Sequence, residues 1–356
     1  MTEPVPVNRA DFLAVLESVA PGLSRRESVE QSSCLAFRGQ EVLTYNDEVA
    51  CRAPHGIGHD LQFAVKADPV MKLLAKLDED RVTLQQVENT LVVGGKRKQT
   101  KIALEAAVTL AVDSVERPEP DAWKALHPDF SDAIGVVMES AGKDETKFAL
   151  TCVRLAKKWM ETSDAVQCTR YRLRTGVDEP VLVRRDSLKH VLPLDMTEMA
   201  LTDEWVHFRN PSGLVVSCRK YPDTFPVDLT PLLEMEGEAA TLPKDLERTV
   251  ERADIFSSLT ADQNRVTVTL KPGKMKIVGS GDAGEHTEWP KVKYNGPEIT
   301  FLIAPKLLIA LTKRHTECVV SDTRLKVDGG RWVFITSLGA KPKPVEQVSQ
   351  DSPEDD

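Results

Sequence analysis

The sequence predicts an α+β protein built from three tandem copies of one module. Three kinds of segment carry this prediction: a short amphipathic helix, a strand that runs directly into a second helix, and two strands joined by a polar turn. Each kind occurs three times, in the same order, at a spacing close to one third of the 356-residue chain. Because a chance match at one segment would not recur at the other two, the spacing indicates repeated modules.

The first helix of each module is predicted from apolar residues at positions i, i+4 and i+7, which fall on one face of a helix. The three sets are Phe12, Leu16 and Val19; Phe130, Ile134 and Val137; and Leu246, Val250 and Ala253.

The second helix of each module follows a strand without a loop, because an alternating apolar pattern changes there to helical spacing. This change occurs within residues 61–74, 180–192 and 298–311. Asp68, Asp186 and Pro305 stand at the change and are expected to begin the helices, since Asp suits an N-cap and Pro suits the first turn. Strands joined by a polar turn follow at residues 82–93, 201–208 and 320–327.

These segments divide the chain into modules at residues 1–117, 118–236 and 237–340. Linkers are expected at residues 116–120 and 234–240. Residues 341–356 are acidic, contain proline and are almost free of apolar residues, which predicts a disordered tail.

Composition and charge restrict the class of protein. Charged residues interrupt every apolar stretch before the roughly 18 residues that a membrane helix needs, and the N-terminus lacks the basic and apolar regions of a secretion signal. We therefore expect a cytoplasmic protein. The net charge of −9 argues against a uniformly basic nucleic-acid binder. It still permits a ring that is acidic outside and basic on its inner surface.

Several residues that could suggest catalysis or metal binding have simpler interpretations. The six cysteines form no C-x-x-C pair and are expected to be small buried residues in a reducing compartment. His55 and His59 flank a glycine-rich turn with no third ligand nearby, so we expect a solvated loop. Residues 279–284 are expected to form a turn between strands. No catalytic string or carboxylate pair is apparent, so the sequence predicts no enzyme activity, metal site or cofactor.

With these residues considered, the chain resembles the bacterial β-type DNA sliding clamps, the processivity subunits of replicative DNA polymerase. The resemblance covers roughly residues 8–338. Residues 23–26 match a loop with a DNA-contacting basic residue, residues 164–173 resemble the string Val-Ala-Thr-Asp-Gly-His-Arg-Leu, and residues 221–226 resemble Gly-x-Phe-Pro-Asp-Tyr. The resemblance implies three clamp modules per subunit, with two subunits joined head to tail in a ring. Strands would form the outer wall, and two helices of each module would line the hole.

The clamp resemblance implies a basic inner surface that attracts DNA phosphates without reading bases. In the second helix of the first module, Val70, Leu73, Leu74 and Leu77 are expected to form the buried stripe and to leave Lys72 and Lys76 facing outward. Treating the six lining helices as basic, we expect the DNA-binding set to be Arg25, Arg26, Lys72, Lys76, Arg184, Arg185, Lys189, Arg248, Arg252, Lys306, Lys313 and Arg314.

The resemblance also implies a groove between the second and third modules that captures short peptide motifs of polymerase and clamp-loader partners. Its expected residues are Leu150, Cys168, Arg170, Tyr171, Arg172, Leu173, Pro226, Pro231, Leu307, Val333 and Ile335.

The sequence departs from the family at this groove. Arg170 and Tyr171 replace a Gly-His pair at its floor, and Ile335, Thr336 and Ser337 stand where a Met-Pro-Met string is typical. Besides a working clamp that encircles duplex DNA, the sequence therefore leaves open a clamp-like scaffold of phage or plasmid type with other partners. A nucleic-acid-processing enzyme is the third alternative.

Overall fold

The computed structural model describes residues 3–27, 29–105, 107–257 and 264–340. The chain forms two compact units. The first takes the chain up to residue 165 together with residues 169–227, and the second takes residues 166–168 and the chain from residue 228 onward. The acidic tail predicted at residues 341–356 lies outside the described residues.

The first unit alternates strands and short helices. Its α-helices are α1 (Arg9–Ser18), α2 (Ala67–Lys76), α3 (Phe130–Val137) and α4 (Arg185–Lys189). Its strands are β1 (Val5–Asn8), β2 (Cys34–Gly39), β3 (Glu41–Tyr45), β4 (Val49–Pro54), β5 (Leu61–Lys66), β6 (Arg81–Val87), β7 (Thr90–Gly94), β8 (Gln99–Glu105), β9 (Lys124–Ala125), β10 (Cys152–Ala156), β11 (Trp159–Ser163), β12 (Gln167–Arg172, of which Gln167 and Cys168 count with the second unit), β13 (Val181–Arg184), β14 (Glu198–Leu201), β15 (Trp205–Arg209) and β16 (Val215–Pro222). Short 3-10 helices lie at Ala20–Gly22, Ala111–Ser114, Pro120–Ala122, Met138–Ser140, Glu145–Thr151 and Leu192–Leu194.

An antiparallel sheet runs through the first unit in the order β8, β5, β2, β3, β4, β16, β15, β14, β9. Its central junction pairs β4 with β16, where Cys51 lies opposite Val216. Because β4 precedes and β16 follows the boundary predicted at residue 117, the backbone hydrogen-bond ladder continues across that boundary.

The helices of the first unit bury the residues that the apolar spacing selects. Phe12 and Leu16 of α1 are buried, and so are Phe130, Ile134 and Val137 of α3. The stripe on α2 is narrower than expected, because Val70 and Leu74 are buried while Leu73 and Leu77 are only half-buried.

The second unit repeats the same kinds of element. Its α-helices are α5 (Thr230–Leu233), α6 (Leu246–Asp254) and α7 (Pro305–Arg314), and its strands are β17 (Glu238–Thr241), β18 (Val266–Lys271), β19 (Lys274–Gly281), β20 (Gly284–Glu288), β21 (Lys293–Tyr294), β22 (Ile299–Ile303), β23 (Glu317–Val320), β24 (Arg324–Asp328) and β25 (Trp332–Ser337). One four-stranded antiparallel sheet has the order β20, β19, β18, β22. Leu246, Val250 and Ala253 of α6 are buried in a core that also contains Leu308 of α7.

Three details differ from the sequence-based expectations. Asp68 and Asp186 are the second residues of α2 and α4, and neither side chain caps its helix. An acidic residue in the first turn instead faces the positive end of the helix dipole. The helix α4 has only five residues. Residues 238–240 of the expected linker belong to the strand β17, which pairs with β21 and β23. Pro305 does begin α7, as expected.

Candidate DNA-facing and partner-binding surfaces

Six of the predicted DNA-binding cations are exposed and available to an outside ligand. In the described part of the chain, none of these six side chains has a hydrogen bond or an ion pair. They are Arg25 and Arg26 after the first 3-10 helix, Lys76 on α2, Lys189 on α4, Arg248 on α6 and Lys306 on α7.

Five others are bound to carboxylates of the same unit. Lys72 contacts Asp68 at 2.9 Å, Arg185 contacts Asp186 at 2.8 Å, Lys313 contacts Glu247 at 2.6 Å, Arg252 contacts Glu288 at 2.8 Å, and Arg184 contacts Glu145 at 2.6 Å and Glu48 at 3.5 Å. The side chain of Arg314 lies outside the described part. Because a paired cation must give up its carboxylate before it can neutralise a phosphate, these five offer less free charge than their number suggests.

The expectation of six basic helices was wrong. The helices α2, α4 and α7 carry more Lys and Arg than Asp and Glu, but α1, α3 and α6 carry the reverse. For example, α6 places Glu247, Glu251 and Asp254 beside its two arginines. Positive charge is therefore concentrated on the second helix of each predicted module.

A concave surface in the first unit brings Arg25 together with helix ends from both predicted modules. Its volume is about 990 Å³, and its lining includes Arg25, Asn46, Asp68, Met71 and His190. His190 caps the C-terminus of α4 next to Lys189, and burial together with that lysine lowers the pKa of its imidazole. The loop cation predicted from the family resemblance thus lies at a cavity where α2 begins and α4 ends.

The floor residues predicted for the peptide groove make polar contacts in the interior of the first unit. Arg170 Nε donates to Glu161 Oε2 at 2.6 Å, and its guanidinium lies 4.8 Å from the ring centre of Trp159. Arg154 Nη1 donates to the other Glu161 oxygen at 2.8 Å, and its Nη2 donates to Asp223 at 2.7 Å. The Glu161 side chain is 0% exposed. This network fixes Arg170 on a fully buried carboxylate.

Tyr171 points to the helix layer. Its hydroxyl donates to Asp132 Oδ2 on α3 at 3.0 Å, and burial followed by this hydrogen bond raises the pKa of the phenol to about 12. Arg170 and Tyr171, which stand where the family string has Gly-His, are thus both engaged in polar contacts within the chain.

The remaining groove residues divide between the two units. In the first unit Leu150 and Leu173 are buried, while Arg172 and Pro226 are exposed. In the second unit Cys168, Val333 and Ile335 are buried, Leu307 is half-buried and packs against the core, and Pro231 on α5 is exposed.

The other candidate sites have structural explanations. His55 is buried, contrary to the expected solvated loop: its Nε2 lies 2.9 Å from the Gly39 carbonyl, and its Nδ1 accepts from the Ile57 amide. All six cysteines are free and buried, as expected. Among the described residues, no three His, Cys, Asp or Glu side chains form a group that could hold a metal ion, and no helix has the length and apolar character to cross a bilayer.

Two features escaped the sequence-based reasoning. The first is the buried carboxylate of Glu161, which lies in the middle of the strand β11. The position of this residue within a predicted strand was the only local sign of its burial. The hairpin between β7 and β8 carries Lys96, Arg97 and Lys98, all exposed. That run of charge is visible in the sequence and could have been found.

Several solved structures share this fold along almost their whole length. The DNA polymerase III subunit beta of Pseudomonas aeruginosa is 15% identical, with 95% of this chain and 100% of that chain covered at a TM-score of 0.80. The beta subunit of Thermotoga maritima is 17% identical, with 94% and 98% covered at a TM-score of 0.78. A Pseudomonas aeruginosa sliding clamp bound to griselimycin is 16% identical, with 95% and 99% covered at a TM-score of 0.82.

No protein-family model matches the sequence, and no curated protein matches it. Since the sequence identity to these three structures is only 15–17%, the similarity lies in the backbone fold. The chain has the fold of the DNA polymerase III β-subunit sliding clamps.

Proposed function

We propose that this chain is a DNA sliding clamp, a non-enzymatic processivity factor that encircles duplex DNA as a head-to-tail dimer and tethers a polymerase. The observation that supports this most strongly is the fold similarity, which extends over 95% of this chain and all of the Pseudomonas aeruginosa beta subunit. Three predicted modules per chain, at the boundaries given above, supply the repeated wall that such a ring needs.

Two sheet edges of opposite charge support ring closure. Among the described residues, positions 99–103 of β8 in the first unit pair with β7 alone, since β5 pairs with just the last two residues of β8. In the second unit, β20 pairs only with β19 among the described residues. An unpaired edge is a template for another strand. We therefore place β8 of one subunit against β20 of the next.

The charges and apolar groups at these edges fit that pairing. Exposed Lys101 lies on the β8 edge, after a hairpin with exposed Lys96 and Arg97. On β20, exposed Glu285 has no ion pair among the described residues, whereas Glu288 is already bound to Arg252. Beside β20, Ile255 is 68% exposed and Trp289 is 70% exposed. Large exposed apolar side chains next to an unpaired strand are typical of an interaction surface.

Within the ring, the unpaired cations named above would attract phosphates without sequence preference. The second helices α2, α4 and α7 would contribute most, because they carry the excess positive charge. Arg25 would act from the concave surface beside the first turn of α2 and the C-terminus of α4.

The partner groove would take short peptide segments between the predicted second and third modules. Because Arg170 is bound to buried Glu161 and Tyr171 to Asp132, its floor is bulkier and more polar than the Gly-His string of the family. This observation favours the second candidate, a clamp-like scaffold with altered partner specificity. Tight binding of a Gln-Leu-x-Leu-Phe type peptide would count against that candidate.

The ring is tested by charge reversal at the proposed edges, read as solution mass in sedimentation over a range of concentrations. The wild type should show twice the 39.4 kDa chain mass. Lys101→Glu and Glu285→Lys should each favour the monomer, and mixing the two variants should restore dimers through a matched interface. The control Lys158→Glu reverses an exposed charge elsewhere and should stay dimeric.

A folded wild-type monomer at every concentration would contradict the ring. Variants that dimerise as well as the wild type would contradict the assigned edges but not the dimer. Metal-dependent turnover of nucleic acid, abolished by a single carboxylate substitution, would instead establish the enzyme alternative.

A further inference from the structure

A small cavity lies on the sheet of the first unit beneath the segment that joins the first two predicted modules. Its volume is about 200 Å³. The polar part of its lining consists of Arg38, Arg52, Arg117, Asp113, Glu116 and Ser217. We call it the linker cavity. It is separate from the cations on α2 and α4, and nothing in the proposed clamp function requires it.

The strand register explains how these residues meet. Arg52 of β4 lies between Leu43 of β3 and Val215 of β16. The joining segment crosses the same sheet face, where Val112 and Val115 pack against the apolar cluster that contains Leu43. The cavity is therefore built from both predicted modules and from the segment between them.

Two ion pairs tie the joining segment to the sheet and form the sides of the cavity. Arg38 Nη1 contacts Asp113 Oδ1 at 2.6 Å, and Arg117 Nη2 contacts Glu41 Oε2 at 2.7 Å. Each of these arginines satisfies one carboxylate and retains further N–H groups, since a guanidinium has five donors.

Arg52 differs from both neighbours. It is half-buried, and among the described residues it has neither an ion pair nor a hydrogen bond. Burial lowers the pKa of its guanidinium, the positive charge of Arg117 lowers it further, and the negative charge of Glu41 acts in the opposite direction. A partly desolvated cation that makes no ion pair costs free energy that a bound anion would recover.

The nearest histidine adds no positive charge to the cavity. His207 Nδ1 lies 2.7 Å from Ser217 Oγ, and burial, followed by the charge of Arg52, lowers the pKa of the imidazole to about 3. His207 is therefore neutral at physiological pH, and the arginines set the positive charge of the cavity.

We propose that the linker cavity binds a small tetrahedral oxyanion, with phosphate as the reference ligand, through Arg52 and the free N–H groups of Arg38 and Arg117. Arginine forks suit phosphate oxygens. Asp113 and Glu116 can accept a hydrogen bond from a protonated phosphate oxygen, which a carboxylate ligand lacks. Since a water occupies roughly 30 Å³, the cavity holds such an ion with a few waters and excludes a nucleotide. A bound ion would fasten the joining segment to the sheet.

The test is calorimetric titration of the full chain with inorganic phosphate at constant ionic strength. Wild type and the control Arg174→Gln, which removes an exposed arginine elsewhere, should bind phosphate saturably. Arg52→Gln should bind about tenfold more weakly or not at all, and acetate should bind wild type more weakly than phosphate. If phosphate binds only to the cations proposed to face DNA, its affinity will be the same in Arg52→Gln as in wild type, and that result overturns the proposal.

Thermal unfolding supplies a second readout that does not depend on the heat of binding. Phosphate should raise the unfolding midpoint of wild type and of Arg174→Gln more than that of Arg52→Gln, because a ligand stabilises only the state that binds it. Arg52→Gln should fold, since it removes a partly desolvated charge that makes no ion pair. Equal responses of wild type and Arg52→Gln overturn the proposal, and so does equal affinity for phosphate and acetate.

Discussion

Replacing Glu161 with glutamine is expected to destabilise the first unit by about 3 kcal/mol. The carboxylate is fully buried, and it accepts one hydrogen bond from Arg154 and one from Arg170, at 2.8 and 2.6 Å. Glutamine keeps the shape and one acceptor but loses the negative charge. It also turns an amide N–H group toward a guanidinium, so that two donors face each other.

The magnitude follows from the burial of the three partners. Removing one member of a buried ion pair costs about 3–5 kcal/mol, because the remaining charge stays desolvated. Here the Arg154 side chain is 22% exposed and keeps its contact with Asp223, while the Arg170 side chain is 10% exposed. Water and Asp223 stabilise the remaining positive charges in part, so the expected loss of stability lies at the lower end of that range, about 3 kcal/mol.

Urea unfolding followed by circular dichroism measures this difference. With an m-value of about 3 kcal/mol per molar urea, the midpoint of the first unit should fall by about 1 M. The matched control is Asp178→Asn. Asp178 also contacts two cations, Lys124 and Lys157, at 3.2 and 3.3 Å, but its side chain is 71% exposed. Its replacement should leave the midpoint unchanged, because water screens an exposed pair.

A Glu161→Gln midpoint equal to that of wild type would refute the reasoning about the buried network. So would an equally large shift in Asp178→Asn, because burial would then not be the deciding factor.

Three further predictions concern other parts of the chain. Burial lowers the pKa of the His207 imidazole to about 3. Between about pH 6.5 and pH 3 this imidazole is therefore protonated in the unfolded chain but neutral in the folded chain. Wild type should therefore lose stability relative to His207→Gln, by up to about 1.4 kcal/mol per pH unit, as the pH falls from about 6 toward 3, measured by urea midpoints. Gly279→Ala would place a Cβ 1.7 Å from the carbonyl oxygen of Ala253, so α6 must move and the thermal midpoint of the second unit should fall; an unchanged midpoint would contradict this contact. Lys306→Ala should weaken DNA binding and reduce the salt slope by about 1, while Lys313→Ala, whose cation already contacts a glutamate, should change both less; equal effects in fluorescence anisotropy would contradict the distinction between paired and free cations.

The local architecture was accessible from the sequence because it depends on short-range periodicity. The change from alternating to helical spacing placed a strand and then a helix around Asp68, Asp186 and Pro305, and all three helices are present. The buried faces of α1, α3 and α6 followed from the same logic. The exact helix starts did not, because Asp and Pro are compatible with several positions in a first turn.

Contacts between distant residues could not be read from spacing. The pairing of β4 with β16 joins segments more than 150 residues apart, and no local pattern selects that partner. The same holds for the carboxylates that bind Lys313 and Arg252, and for the meeting of Arg154, Glu161 and Arg170. The expectation for His55 was wrong for a related reason: its Gly39 partner belongs to another strand and is invisible in the local loop.

The most direct measurement of the central claim is retention on DNA of defined topology. The protein is assembled on a nicked circular plasmid by dilution and reconcentration, and half of the sample is then cut once with a restriction enzyme. A closed ring without sequence preference should stay on the circle in gel filtration at moderate salt and should leave the cut DNA by sliding off its ends. Equal rates of loss from circular and linear DNA would contradict encirclement.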